Sequence, residues 1–202
     1  MTPMKLILPI HQARLPILFI TGIIMTFAFL QGCSSVPDRR SSNIILKDEN
    51  IESKATNTLY GDTKINKKIH VNVTSYNGIV LVTGEVLTEE LGQQVIDVVR
   101  NLPDVKRVHN ELTVGNLTSF ESRSGDTWIT SKVKSQMLST RDLKSTLIKV
   151  VTENDTVYLM GIVTEKEANE AADVARNVEG VKRVVKIFEY IPEPVKPEAT
   201  KK

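Results

Sequence analysis

Apolar positions along this chain follow three patterns. From Leu15 to Leu30 no residue is charged, and the apolar residues run on without a period. From Asp48 onward the pattern becomes periodic and alternates between a helical and a strand repeat. Ile129, Val133 and Met137 recur every fourth position and predict a helix capped by Asp126. Ile51, Ala55 and Leu59 repeat this behind Asp48, although IESKATNTLYGD carries the weaker stripe. HVNVTSYNGIVLVTG then alternates around Asn77-Gly78, a dipeptide suited to the positive backbone angles of a two-residue hairpin turn, and LIKVVTENDTVYLMG is its counterpart. Thr88 and Thr164 each open a second helix with acidic residues in its first turn. The final strands are predicted over 105–114 and 181–191. Residues 192–202 are rich in proline and charge and predict a disordered tail.

The periodic part is a tandem repeat. LTEELGQQVIDVVRNLPDVKRV, from Leu87, aligns without gaps on VTEKEANEAADVARNVEGVKRV, from Val163. Upstream, Gly84 meets Gly161, and Asp48-Glu49-Asn50-Ile51 meets Asp126-Thr127-Trp128-Ile129. The units run over 48–114 and 126–191, joined by a linker at 115–125. Helix, hairpin, helix and strand in that order predict an α+β fold, αββαβ in each unit. Its three-stranded mixed sheet would carry both helices on one face, because a right-handed crossover makes the last strand pair parallel. Gly84 and Gly161 are expected to form tight strand-to-helix turns.

Lys5 and Arg14 ahead of the apolar run give the order of a secretory signal over residues 1–32. The run is short of the roughly 20 residues that a membrane span needs. It ends Leu30-Gln31-Gly32-Cys33, which resembles the lipobox of bacterial lipoproteins, with Gln31 departing from the usual small residue. The resemblance implies that Cys33, the sole cysteine, is acylated and that residues 33–47 form a lipidated N-terminus and tether. Acyl chains worth ~0.8 kcal/mol per buried methylene would hold such a chain on a bilayer permanently. Ser34 in place of an aspartate implies the outer membrane, on its periplasmic face. A plain signal peptide or an uncleaved anchor, with Cys33 incidental, is the alternative.

Two αββαβ units of this length, with a Thr-Glu helix start and a closing V-x-x-V strand, resemble BON domains. GDTWITSKVKSQML and VYLMGIVTEKEANEAADVARNVEGVKRV carry the likeness most strongly. The resemblance spans nearly all of the chain after Cys33, and it implies a non-enzymatic envelope protein with affinity for phospholipid.

Charge narrows the partners. The formal charge of +2 falls to zero once Lys5 and Arg14 are removed with the signal, so global charge favours neither nucleic acid nor an anionic surface. A single cysteine excludes disulfides and thiolate metal sites within the chain. His70 and His109 have no counterparts in the second unit and read as structural, no acidic cluster shows metal-ligand spacing, and no catalytic constellation or cofactor motif is present. The best candidate surface is the helix over 127–139. Trp128 lies beside Lys132 and Leu138 near Lys134, a composition suited to the headgroup layer of an anionic phospholipid membrane. Arg141 and Lys144 would extend the patch, whereas the first unit offers only Ile51 at the nearest position. A cap on the core is the competing reading of Trp128.

Tyr158, Met160, Val185 and Ile187 place apolar groups on the helix-free face of the second sheet and predict an interface with the first unit or with a protein partner. The expectation is an outer-membrane lipoprotein that binds anionic phospholipid through its second unit and supports membrane integrity. An adaptor for envelope-assembly or division-site machinery is the alternative.

Overall fold

The computed structural model describes residues 38–117, 120–141 and 143–193. The expected signal over residues 1–32, Cys33 and the expected tail beyond Glu193 lie outside the described residues. The first domain comprises α1 (Ser42–Gly61), β1 (Ile69–Tyr76), β2 (Ile79–Val86), α2 (Glu89–Arg100) and β3 (Arg107–Val114). The second repeats the order with α3 (Phe120–Ser139), β4 (Ile148–Glu153), β5 (Thr156–Val163), α4 (Glu165–Arg176) and β6 (Arg183–Tyr190), plus a short 3-10 turn at Ser145–Leu147. In both sheets the hairpin pair is antiparallel and the crossover pair parallel, with the second strand in the centre. This is the α+β arrangement expected from the repeat.

Both first helices begin earlier than the apolar stripe predicts. Ser41 caps α1, its side chain accepting from the Ile44 amide, six residues or more ahead of the stripe. α3 reaches back to Phe120 and takes up half of the expected 115–125 linker. Asp48 and Asp126 are therefore not caps. Each sits inside its helix, almost fully buried, and turns its carboxylate onto the hairpin tip of its own domain. Asp48 accepts from Asn77 N at 2.7 Å, Gly78 N at 2.8 Å and Ser75 Oγ at 2.6 Å. Asp126 accepts from Asn154 N and Asp155 N, both at 2.9 Å. Burial opposes ionisation of Asp48, but these donors and Arg40 Nη1 at 2.9 Å outweigh it and hold its carboxyl below the usual carboxylate range.

The expected tether also shortens, because residues 38–47 belong to the fold. Arg39 donates to Ile162 O at 2.7 Å and forks onto both oxygens of Glu167 at 2.7 and 2.9 Å. Arg40 pairs with Asp38 and Asp48 and lies 3.7 Å from the centre of the Tyr76 ring. Thr164 and Glu167 form a reciprocal capping box on α4, so the Arg39 fork ties the start of the folded chain to a helix end in the second domain.

The two glycines are mid-strand rather than turn residues. Gly84 has φ +113°, and a Cβ there would collide with the His70 carbonyl on the neighbouring strand. At Gly161 a Cβ would come within 2.6 Å of Leu147 O.

Each domain closes one core between its helices and its sheet. Ile51, Ala55 and Leu59 pack with Val71, Val73, Val80, Val82, Val95 and Val99 in the first. Ile129, Val133 and Met137 pack with Val157, Leu159, Ala168, Ala172 and Ala175 in the second. A third core lies between the sheets, built from Tyr76, Ile79 and Leu81 of the first and Tyr158, Met160 and Ile187 of the second. The layers thus run helix, sheet, sheet, helix. All three cores lie within one compact unit of the described residues.

Candidate functional site

α3 is held by Ile129, Val133 and Met137, all at most 4% exposed. At about 100° per residue, Trp128, Ser131, Ser135 and Leu138 fall on the opposite side of the helix. Lys132 and Lys134 lie on its two flanks. Trp128 is 63% and Leu138 73% exposed, so neither caps the core. Lys132 Nζ stands 5.3 Å from the centre of the indole ring and 3.2 Å from Glu179 Oε2. An ammonium beside an aromatic face is a cation–π contact, and Glu179 partly compensates the Lys132 charge.

Below the helix, Lys134 and Leu138 border a shallow groove of ≈ 280 Å³ whose floor is Met137, Ile148 and Val150. Lys144, just past the helix, lies 3.8 Å from Glu167 Oε1 and shares that carboxylate with Arg39. Arg39 is the principal cause holding Glu167 below the usual carboxylate range. Lys144 is therefore a partly compensated charge, whereas Arg141 is exposed.

The equivalent helix of the first domain repeats Ser131 and Lys132 as Ser53 and Lys54 but differs at the positions of Trp128, Lys134, Ser135 and Leu138. With Asp48 and Asp126 superposed by their common role, Ile51 matches buried Ile129, so the counterpart of Trp128 is Asn50 and not Ile51. Leu138 corresponds to Tyr60, whose hydroxyl accepts from Val71 N at 2.8 Å and donates to Val71 O at 3.0 Å. The first helix fastens its aromatic residue to a strand edge, while the second leaves its tryptophan and leucine in solvent.

The predicted interface residues come together in the layer between the sheets. Tyr158, Met160 and Ile187 are buried and Val185 packs against them. Their contacts are with the first domain, and polar links ring the apolar centre. Tyr158 Oη lies 3.2 Å from Glu111 Oε2, which also receives Arg183 Nη2 at 2.9 Å. Tyr76 Oη donates to Leu147 O at 3.3 Å, and Lys149 Nζ reaches Glu52 Oε1 at 2.7 Å. Asn77 Nδ2 donates to Glu189 Oε1 and Asn154 Nδ2 to Glu85 Oε1, at 2.7 and 2.8 Å. The hairpin tip of each domain thus grips a strand of the other.

Neither histidine belongs to the outward face of α3, although His70 borders a depression that Asp126 and Thr130 of that helix also line. Burial, then the charge of Arg107, hold His109 below the usual imidazole range. His70 Nδ1 lies 3.0 Å from Glu85 Oε2 at the domain junction. Sequence reasoning missed this junction, because His70 and Glu85 fall fifteen residues apart on paired strands and their third neighbour, Glu153, belongs to the other domain. Burial and the nearby Glu85 charge push the Glu153 carboxyl up.

Among the described residues, no helix is long and apolar enough to cross a membrane.

Comparison with known proteins agrees with the repeat. The BON domain model matches residues 47–116 and 125–192. The outer membrane lipoprotein DolP of Haemophilus influenzae is 37% identical over 175 residues, covering 81% of this chain and 91% of that protein. A 21 kDa hemolysin of Actinobacillus pleuropneumoniae is 34% identical over 154 residues, covering 76% and 79% of the two chains. The osmotically-inducible protein Y of Escherichia coli is 27% identical over 142 residues, 69% and 70% of the two chains. With two family matches filling most of the folded unit and the DolP relative aligned along 91% of its length, the chain belongs to the BON-domain family as a dual-BON, DolP-like member.

Proposed function

We propose that this chain is a non-enzymatic outer-membrane lipoprotein that faces the periplasm, is acylated at Cys33, binds anionic phospholipid through α3 of its second domain and thereby supports outer-membrane integrity. The Haemophilus relative, named an outer membrane lipoprotein, supports the location. The observation that carries the lipid assignment is the outward face of α3. Trp128 and Leu138 project away from the core with a lysine on each flank, so an indole and an isobutyl group enter the headgroup layer while ammonium groups meet phosphate. Around ~1 kcal/mol per lysine near an anionic surface gives weak binding from α3 alone. A lipid anchor on the same chain raises the local concentration of the surface and makes that weak contact effective.

Residues 36–202 mixed with phosphatidylglycerol-containing vesicles should show a blue shift of Trp128, the sole tryptophan, and phosphatidylcholine vesicles should leave it unchanged. Added salt should reduce the shift. Trp128→Ser with Leu138→Ser should abolish co-sedimentation with the vesicles at unchanged circular dichroism. Undiminished binding by that double variant would overturn the site assignment.

The adaptor reading rested on the apolar residues of β5 and β6. These pack against the first domain, so an adaptor would have to use another surface of the molecule.

A further inference from the structure

The junction between the domains gathers groups that α3 does not use. His70 on β1 and Glu85 on β2 face each other in register, and Glu153 at the end of β4 completes the set from the second domain. One potential ligand atom from each lies within 4.8 Å of the other two. Both glutamates are buried, at 3% and 8% exposure. Asn154 Nδ2 holds Glu85 Oε1 at 2.8 Å and so fixes the orientation of that carboxylate.

A separate observation points to a ligand. Thr83 sits two residues before Glu85 on the same face of β2 and is 1% exposed. Its hydroxyl lies toward the Glu153 carboxyl, but Oγ1 makes no hydrogen bond of full geometry among the described residues. A buried hydroxyl left in this state is costly unless something else meets its lone pairs. A depression of ≈ 320 Å³ bordered by His70, Asp126, Thr130 and Glu153 leads to the cluster from solvent.

We propose that His70, Glu85 and Glu153, with the Thr83 hydroxyl as a further oxygen donor, form a binding site for a first-row divalent cation of zinc-like preference that bridges the two domains. One imidazole with two carboxylates is a mixed nitrogen and oxygen set. Such a set suits zinc and its neighbours better than calcium or magnesium, which take all-oxygen shells. A dication brings together the two buried negative charges and gives Thr83 Oγ1 an electrophile. Because one ligand comes from the other domain, the ion binds only when the sheets are docked.

The test is calorimetric titration of Zn²⁺ into residues 36–202 after treatment with chelator. One ion per chain is expected, with affinity lowered by about tenfold or more in His70→Ala and in Glu153→Gln. His109→Ala should bind as the unaltered chain does. Zn²⁺ should raise the melting temperature of the unaltered chain and leave that of Glu153→Gln unmoved. Co²⁺ reads the site without any substitution, so poor folding of a variant leaves the proposal testable. Visible absorbance well above that of the hydrated ion should appear and be bleached by an equivalent of Zn²⁺. Absence of stoichiometric uptake, unperturbed Co²⁺ absorbance, or affinity equal in both variants and the unaltered chain would each overturn the site.

Discussion

Asp48 and Asp126 show how one side chain fixes the meeting of two elements. Each lies inside a helix and satisfies the backbone amides of a hairpin tip 28 to 30 residues away. In Asp48→Asn the amide group would place donors against donors, and Arg40 would keep only Asp38 as its counter-charge. A loss of about 2–4 kcal/mol is expected from breaking such a buried set, read as a lower urea midpoint at unchanged slope. Because its folded pKa lies below the unfolded value near ~3.9, Asp48 contributes stability that is present above that value and lost as pH falls through the folded pKa. The acid limb of a stability profile should therefore flatten in Asp48→Asn. The recurrence of these aspartates was visible in the sequence, but their task was not. An aspartate just ahead of an apolar stripe reads as a cap, and only the distant partner distinguishes a residue that clasps a turn. Trp128 was legible for the opposite reason, since its exposure follows from the helical repeat of its own neighbours.

Between elements, the close approach of β1 to β2 depends on the missing side chain at Gly84. Gly84→Ala combines a disfavoured φ with a backbone collision and should cost about 3 kcal/mol or more. Gly161→Ala meets Leu147 O without the positive φ and should cost less. Paired thermal melts of the two variants would check this order, and equal losses would contradict it. Hairpins and second helices were readable because Asn77-Gly78, Thr88 and Thr164 state their geometry locally. The early starts of α1 and α3 were not, since SNIILK and FESRSG carry no four-residue apolar repeat. What lengthens α1 is its Ser41 cap and the Arg40 pairs that precede it, and those depend on parts of the fold far along the chain.

For the whole molecule, the decisive contact is between the two helix-free sheet faces. Leu81→Asp would place a charge among Tyr158, Met160 and Ile187, and the single cooperative transition should separate into two as the domains lose their shared core. Scanning calorimetry reads this directly, and one unsplit transition would count against a shared core. Only half of this contact was legible: β6 and β5 showed apolar residues on both faces, while Ile79 and Leu81 were hidden in the run IVLV, whose two faces look alike in sequence. Sheet-to-sheet docking also divides the evolutionary freedom of a duplicated gene. A change at Leu81 must be tolerated by Met160 and a change at Tyr158 by Glu111, so the inner faces of the two copies are bound to one shared history. The outward faces of the first helices answer to no such partner among the described residues, and at one corresponding position they have already diverged, to asparagine in one copy and tryptophan in the other.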